Sequence, residues 1–294
     1  MKTKIIVDDF FMKVEIIPRK KIKNSFWHDL VLKHEMPVYL DWFYLDCVTD
    51  WEVLSINDFE SFTPIPFRKR FLKNYIQPNY VHAFSWFGKN RTESIDEYLE
   101  LQNRSINLFW KSVPESGNRK YQSIEKGAFP QNYPDRSLRK NINFSLKSGL
   151  TLEKDLDVDV FISLYAKWMK KKIGFISYKP ITILKNLINT CRRENSGMIY
   201  AARNHNGKIV CADFFAYNEH SLFLPACVTL PESKETRAHL FTVHNIIEDL
   251  GKSNQRAIHF GGSNQANFAS FNYNFGAKDY FYKLIQKKNH LRFF

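Results

Sequence analysis

The 294-residue sequence predicts an α+β fold, a mixed and mostly antiparallel sheet covered by helices in three layers. Three observations carry that expectation. Along residues 135–286 the apolar spacing switches between helical and extended: helix, strand, two helices, three strands, helix, strand, helix, strand. Asn206-Gly207 joins two of the consecutive strands, and Asn-Gly is the strongest short hairpin signal a sequence offers. The composition, 44% hydrophobic and 25% charged with 26 Phe, 14 Tyr and 6 Trp, supplies the apolar volume for a large core. Helical bundles, sandwiches and (β/α)8 barrels do not show this order.

Residues 1–130 and 131–294 read as two modules. In the first, Trp51–Ile56 and Phe59–Pro66 form a hairpin around Asn57-Asp58, a pair that tolerates positive φ. Ser94–Leu101 has helical spacing and Ile106–Val113 alternates like a half-buried strand. Ser112–Asp135, with three prolines and two glycines, is the linker candidate. The second module opens with a basic helix, Asp135–Lys147, closed by Gly149. Leu150–Lys154 follows as a strand. Asp159–Lys172 is a helix with a Phe161, Leu164, Tyr165, Trp168 stripe, and Ile181–Glu194 is another. Strands at Met198–Asn204, Lys208–Tyr217 and Ser221–Leu230 lead to a helix over about Thr236–Leu250. A strand (Ala257–Phe260), a helix (Asn264–Phe275) and a strand (Lys278–Gln286) close the chain. Pro225 cannot donate to a ladder, so its strand needs an edge or a bulge there.

Forty-three Lys and Arg against 30 Asp and Glu give a formal charge of +13. Such a basic protein attracts nucleic acid, nucleotide phosphates or anionic membrane, and a basic proteome explains the charge equally well. Cys47, Cys191, Cys211 and Cys227 lie far apart without metal-site or disulfide spacing. His239 and His244 miss the i, i+4 spacing of a helical metal pair, so no metal is expected. The apolar runs fall short of a membrane span, and Met1–Phe11 carries Asp8 and Asp9 rather than a signal-peptide core. A cytoplasmic location is the expectation.

Four motifs in order point to a family. Tyr39-Leu40-Asp41, Trp51-Glu52-Val53-Leu54, Pro64–Arg70 and Tyr75–Pro78 form the first; Tyr133–Asn141 through Leu150 is the second. Phe260-Gly261-Gly262-Ser263-Asn264 is the third, and Ala269-Ser270-Phe271 with Phe275-Gly276-Ala277-Lys278 the fourth. Together, over about residues 38–288, the chain resembles the acyl-CoA N-acyltransferase (GNAT) superfamily in the two-module, Fem-like arrangement of FemAB-type peptidyltransferases. The resemblance implies two tandem GNAT-like modules. It implies an acyl donor lying between splayed strands 221–230 and 257–260, its phosphates at the start of the helix between them. Ala226, Cys227, Val228, Ser233, Lys234, Thr236 and Arg237 then hold the donor. The loop 230–237 has no glycine, and Asn272 occupies the slot where many members carry a general-acid tyrosine, with Tyr273 beside it.

Candidate residues each have a bland alternative. Tyr273, His259 and Asp213 are the catalytic candidates; tyrosine and histidine in such elements also serve as core residues, and Asp213 also reads as a strand-edge residue. Gly261, Gly262, Ser263 and Asn264 let a substrate approach the backbone, or form a turn with an N-cap. Arg136, Arg139 and Lys140 suit a phosphate-rich donor, or form a solvated face. The resulting expectation is an acyltransferase moving an acetyl or aminoacyl group from acyl-CoA or aminoacyl-tRNA to an amine-bearing small molecule or peptide. The open alternative is a catalytically degenerate GNAT-fold protein that binds nucleic acid or another anionic partner, with RNA contact included. The two differ in whether Phe223, Phe260 and Phe271 plug the cleft.

Overall fold

The computed structural model describes residues 2–7, 10–69, 73–89, 105–111, 119–126, 135–173, 178–252, 256–262 and 266–287. The chain divides into two compact units. The first comprises Met1–His34, Leu40–Lys120 and Tyr280–Phe294; the second comprises Glu35–Tyr39 and Tyr121–Asp279.

The first unit is built on strands β1 (Lys2–Val7), β2 (Phe10–Pro18), β3 (Asp50–Ile56), β4 (Ser61–Lys69), β5 (Lys73–Ile76), β6 (Phe87–Gly88) and β7 (Ile106–Trp110). Helices α1 (Asn24–Lys33) and α2 (Trp42–Val48) belong to it as well. The expected hairpin forms: Asn57, Asp58 and Phe59 all take positive φ, and the Lys13 amide donates to Asn57 Oδ1. Trp51–Ile56 are buried without alternation, so β3 is covered on both faces. Pro64 and Pro66 pair with β3. Beyond β3, β4 meets β6 only at Ser61 and Phe62 and β5 only at Arg68 and Lys69. Both prolines fall in that gap, where no ladder donor is needed. The helix read at Ser94–Leu101 lies outside the described residues.

The stretch read as a linker contains a strand, β8 (Arg119–Ile124). Its Tyr121-Gln122-Ser123-Ile124 end is buried, a short apolar run hidden among prolines and glycines. The second unit continues with α3 (Arg136–Lys147), β9 (Thr151–Lys154), α4 (Val158–Ile173), α5 (Tyr178–Arg193), β10 (Gly197–Arg203), β11 (Ile209–Tyr217) and β12 (Ser221–Thr229). It closes with α6 (Ser233–Thr236), α7 (Ala238–Ile246), β13 (Ala257–Gly262) and α8 (Ala266–Asn274); β14 (Lys278–Lys287) follows, and from Tyr280 it belongs to the first unit, where Lys283–Lys287 pair with β7.

Strand order in the second unit is β8-β13-β12-β11-β10-β9, antiparallel except for the parallel pair β12–β13. Alternation along β11 sends Cys211 and Asp213 to one face and Phe214 to the other. Helix α7 covers the Asp213 face, with α3 packed against it. Helix α5 covers the Phe214 face so closely that a Cβ on Gly197 would lie 2.6 Å from Cys191 Cβ. The result is three layers, helix–sheet–helix, as the element order predicts. Asp135 caps α3 by accepting from the Ser137 amide, and Gly149 follows with φ +68°. The helix expected over about 236–250 begins at Ala238, just after Arg237, whose left-handed backbone (φ +56°) separates it from α6, and it runs into a π-turn at Ile247–Lys252. No helix among the described residues is long and apolar enough to cross a membrane.

Candidate active site

Strands β12 and β13 pair for only three residues, Ser221↔Ala257, Leu222↔Ile258 and Phe223↔His259. They part at one level, because each carries a bulge immediately beyond. On β12, Leu224 and Pro225 together oppose Phe215 of β11, the two-against-one count of a β-bulge. On β13, Phe260 and Gly261 together oppose Gln122 of β8, and Gly261 takes φ +84°. Pro225 therefore sits at a bulge where its missing N–H costs no ladder bond, as the strand pattern requires. Past the fork the Thr229 carbonyl accepts from Trp168 Nε1 at 2.8 Å, a side chain standing where a neighbouring strand would otherwise be.

A cavity of about 830 Å³ opens at this end of β12. Helices α3 (Leu138, Asn141), α4 (Trp168, Lys171), α7 (His239, Leu240) and α8 (Phe271, Asn274) contribute walls, and Thr229, Leu230, Pro231, Ser233, Lys234 and Arg237 supply the rest. Among the described residues its charged lining is Lys171, Lys234 and Arg237, with no Asp or Glu. Arg237 is held by Asn141 Oδ1 and lies 4.8 Å over the Phe144 ring. Glu232, in the same loop, is drawn to Lys208 at 2.6 Å; that hydrogen bond keeps its carboxyl below the usual range.

At the wall of this cavity lies an imidazole with a buried partner. Asp213 is fully buried in the central strand β11, so it is not an edge residue. Its Oδ2 accepts from Thr242 Oγ1, one turn along α7, and lies 3.2 Å from His239 Nδ1. The Cys211 thiol approaches the same oxygen at 3.7 Å, and burial, then the neighbouring Asp213, push that thiol well above its ordinary pKa. It therefore stays an S–H and donates. His239 is pinned in plane by Phe271, stacked at 4.7 Å and 16°. With Nδ1 turned to the carboxyl, the proton belongs there, and Nε2 is the accepting nitrogen. This assignment follows from the hydrogen-bond network. The pair can take a proton from a group in the cavity and return it, with Asp213 fixing tautomer and orientation.

The expected residues divide sharply by place. Ser233, Lys234 and Arg237 line the cavity. Ala226, Cys227 and Val228 lie on β12 opposite Phe214, Asp213 and Ala212, just inside the fork. Thr236 is set back, its buried Oγ1 lacking a hydrogen bond among the described residues. Tyr273 is outside the lining; its hydroxyl donates to Asp279 at 2.7 Å. His259 is also outside, its Nδ1 2.9 Å from Ser123 Oγ, with Tyr39 and Tyr121 around its ring. Arg136, Arg139 and Lys140 are exposed on α3, whose inner residues Leu138 and Asn141 reach the cavity. Gly261 and Gly262 form the β13 side of the fork, while Ser263 and Asn264 lie outside the described residues. His239, Trp168 and Lys171 are among the cavity residues that sequence reasoning did not assign to the site. The available signal was Asp213 itself: a carboxyl flanked by apolar strand residues needs a donor, and His239 sits one turn from Thr242 on the inner face of the next helix.

Parallel strands that fork at paired bulges, a crossover helix between them and a cationic cavity at the mouth define an acyl-transfer fold. Residues 136–283 match the family model described as an acetyltransferase (GNAT) domain. The chain belongs to that family. FemX, at 10% identity, superposes with a TM-score of 0.63 over 90% of this chain and 95% of that one. The C-terminal domain of a putative lysylphosphatidylglycerol synthetase from Agrobacterium fabrum gives 0.56 at 12% identity, over 90% and 93%. A tandem GNAT protein from the clavulanic acid biosynthesis pathway gives 0.51 at 9% identity, over 93% and 98%. At these identities the likeness is one of fold, and the fold is the two-module, Fem-like GNAT arrangement. A comparison with curated proteins finds no match.

Proposed function

We propose that the second unit transfers an acyl group from an anionic activated donor, acyl-CoA in the first instance, to an amine. The observation that carries this reading is the cavity of about 830 Å³, lined among the described residues by three cations and no acid, with His239 on its wall backed by the buried Asp213. That volume is within the roughly 300–1,000 Å³ usual for small-molecule sites. Lys171, Lys234 and Arg237 face the donor's phosphates, and Trp168, Leu230, Pro231, Leu240 and Phe271 enclose its apolar arm. The donor supplies an activated acyl carbonyl. As the amine nitrogen bonds to the acyl carbon, His239 Nε2 takes the proton that the amine loses and the Asp213 carboxyl stabilises the imidazolium formed; the acyl C–S bond then breaks and the departing thiolate takes that proton back. Aminoacyl-tRNA remains the alternative donor chemistry, since the same cations suit its phosphates.

The non-catalytic alternative expects a filled cleft. Phe223 packs against Tyr39 and Phe260 against Phe275, both buried, while Phe271 stands at the wall without closing the space. These placements support the transferase reading. The test is thermal unfolding of the purified protein with acetyl-CoA, longer acyl-CoAs and free CoA at physiological salt. A ligand that binds only the folded state raises the melting temperature as its concentration passes its Kd. A saturable rise, reduced in Lys234→Ala, is the expected result. No shift at millimolar ligand sinks acyl-CoA as the donor.

A further inference from the structure

The thiol, carboxyl and imidazole beside the cavity meet with the dimensions of a metal-ligand set. Cys211 Sγ is 3.7 Å from Asp213 Oδ2 and 3.8 Å from His239 Nδ1. His239 Nδ1 is 3.2 Å from Asp213 Oδ2 and likewise 3.2 Å from Oδ1. A tetrahedral zinc ion with bonds of about 2.3 Å to sulfur and 2.0–2.1 Å to nitrogen and oxygen spaces its ligands at about 3.6 Å for S···N and S···O and about 3.3 Å for N···O. All three edges therefore match within a few tenths of an ångström, with no rearrangement of the backbone. These ligand atoms all lie within 4.8 Å of one another.

Two further observations point the same way. Asp213 Oδ1 is buried without a hydrogen bond among the described residues, although its carboxyl faces three donors through Oδ2. That oxygen, also 3.2 Å from His239 Nδ1, gives the carboxyl a second ligand atom beside Oδ2. Charge also balances: a thiolate and a carboxylate neutralise a divalent cation, so the filled site adds no net charge to a dry interior. The rigid parts are already placed, since Cys211 and Asp213 share one face of the central strand β11 and His239 opens α7. His239 lines the cavity, which gives the ion its route in and leaves the fourth position on that side.

We propose that Cys211, Asp213 and His239 bind a thiophilic divalent cation, zinc first among them, and that the bound ion switches acyl transfer off. On binding, the Cys211 sulfur loses its proton to solvent. Nδ1 of His239 gives its lone pair to the metal, and the imidazole proton moves to Nε2. The nitrogen that faced the amine then carries a hydrogen and accepts nothing. The inhibition half rests on His239 as the base; the binding half does not.

The test uses the full chain stripped with chelator and titrated with Cd²⁺, whose thiolate complexes absorb in the near ultraviolet. The band is expected to saturate at one equivalent, to be displaced by Zn²⁺, and to vanish in Cys211→Ser. It should persist in Cys47→Ser and Cys227→Ser, which remove the half-buried thiols. His239→Gln, read by the same titration, replaces Cys211→Ser if the latter fails to fold, and is expected to weaken binding at least tenfold. No band, or a band that survives both variants, overturns the site. With one equivalent of Zn²⁺ the transfer rate is expected to fall at least tenfold. A band without inhibition keeps the metal site and overturns the switch and His239 as base. Absence of a band leaves the acyl-transfer reading standing.

Discussion

Each unit contains a pocket with cations in its wall, and the two treat those cations oppositely. In the first unit a pocket of about 350 Å³ is lined by Arg19, Lys20 and Lys73 together with Asp46, Asp50 and Glu52. Arg19 makes two hydrogen bonds to Asp46, at 2.9 and 2.8 Å, and lies 5.1 Å over Trp51. Lys73 meets the buried carboxyl of Glu52, which also accepts from Tyr75 at 3.0 Å. In the second unit Lys171 and Lys234 form no ion pair with a described carboxylate, and Arg237 is held by an amide and an aromatic ring. Charges that satisfy each other contribute to the fold; cations that face a cavity with no carboxylate among its described lining residues, where Lys171 has only the outlying Glu232 to draw on, favour an anion brought from outside. The contrast teaches that the larger pocket is arranged for a ligand and the smaller one for stability.

That contrast can be broken at several points. His239→Gln removes the base while keeping a polar group of similar reach, so kcat should fall by roughly 10²–10⁴-fold with donor affinity nearly unchanged. Steady-state rates and a direct binding titration decide it; an unchanged kcat puts the proton transfer elsewhere. In the first unit, Lys73→Met leaves Glu52 buried without its cation and should cost roughly 2–3 kcal/mol in urea unfolding, with donor affinity unaffected. Lys234→Ala should do the reverse: stability unchanged within about 0.5 kcal/mol and donor affinity weakened about tenfold. If the two lysine variants behave alike in both measurements, the distinction between the pockets fails. The smallest effect is expected at the fork. Gly261→Ala places a side chain at φ +84° with the new Cβ in ordinary contact, 3.7 Å from the Leu224 carbonyl oxygen, so backbone strain of about 1 kcal/mol should set the loss read in urea unfolding.

The elements of the second unit were legible because each has a local cause: periodic apolar faces on α3–α5, the Asn206-Gly207 turn between β10 and β11, and Gly149 after α3. Pro225 even announced the bulge. The short helix α6 and the left-handed turn at Arg237 were not legible, since residues 230–237 read as a loop and carry no glycine to mark a positive φ. Nor was β8, four buried residues whose partner strand, β13, lies more than 130 residues further on, as the Ser123–His259 contact shows. The site divided in the same way. Lys234 and Arg237 come with the loop, and their place follows from the fold. The Asp213–His239 pair joins side chains 26 residues apart on different elements, and only the packing of α7 on β11 brings them together. Tyr273 looked suitable beside the closing glycine, but the helical turn carries it 100° from Asn272, to Asp279.

Trp168, described above for the hydrogen bond that caps Thr229, has an optical consequence. Of the six tryptophans, Trp27, Trp42, Trp51, Trp86 and Trp110 fall in the first unit, so Trp168 is the single indole of the second. It stands on the cavity wall with its N–H fixed to a backbone carbonyl. The difference in emission between the protein and Trp168→Phe is therefore the spectrum of that wall alone. An adenine or acyl chain entering the cavity would shift or quench that component and leave the other five fluorophores as an internal reference.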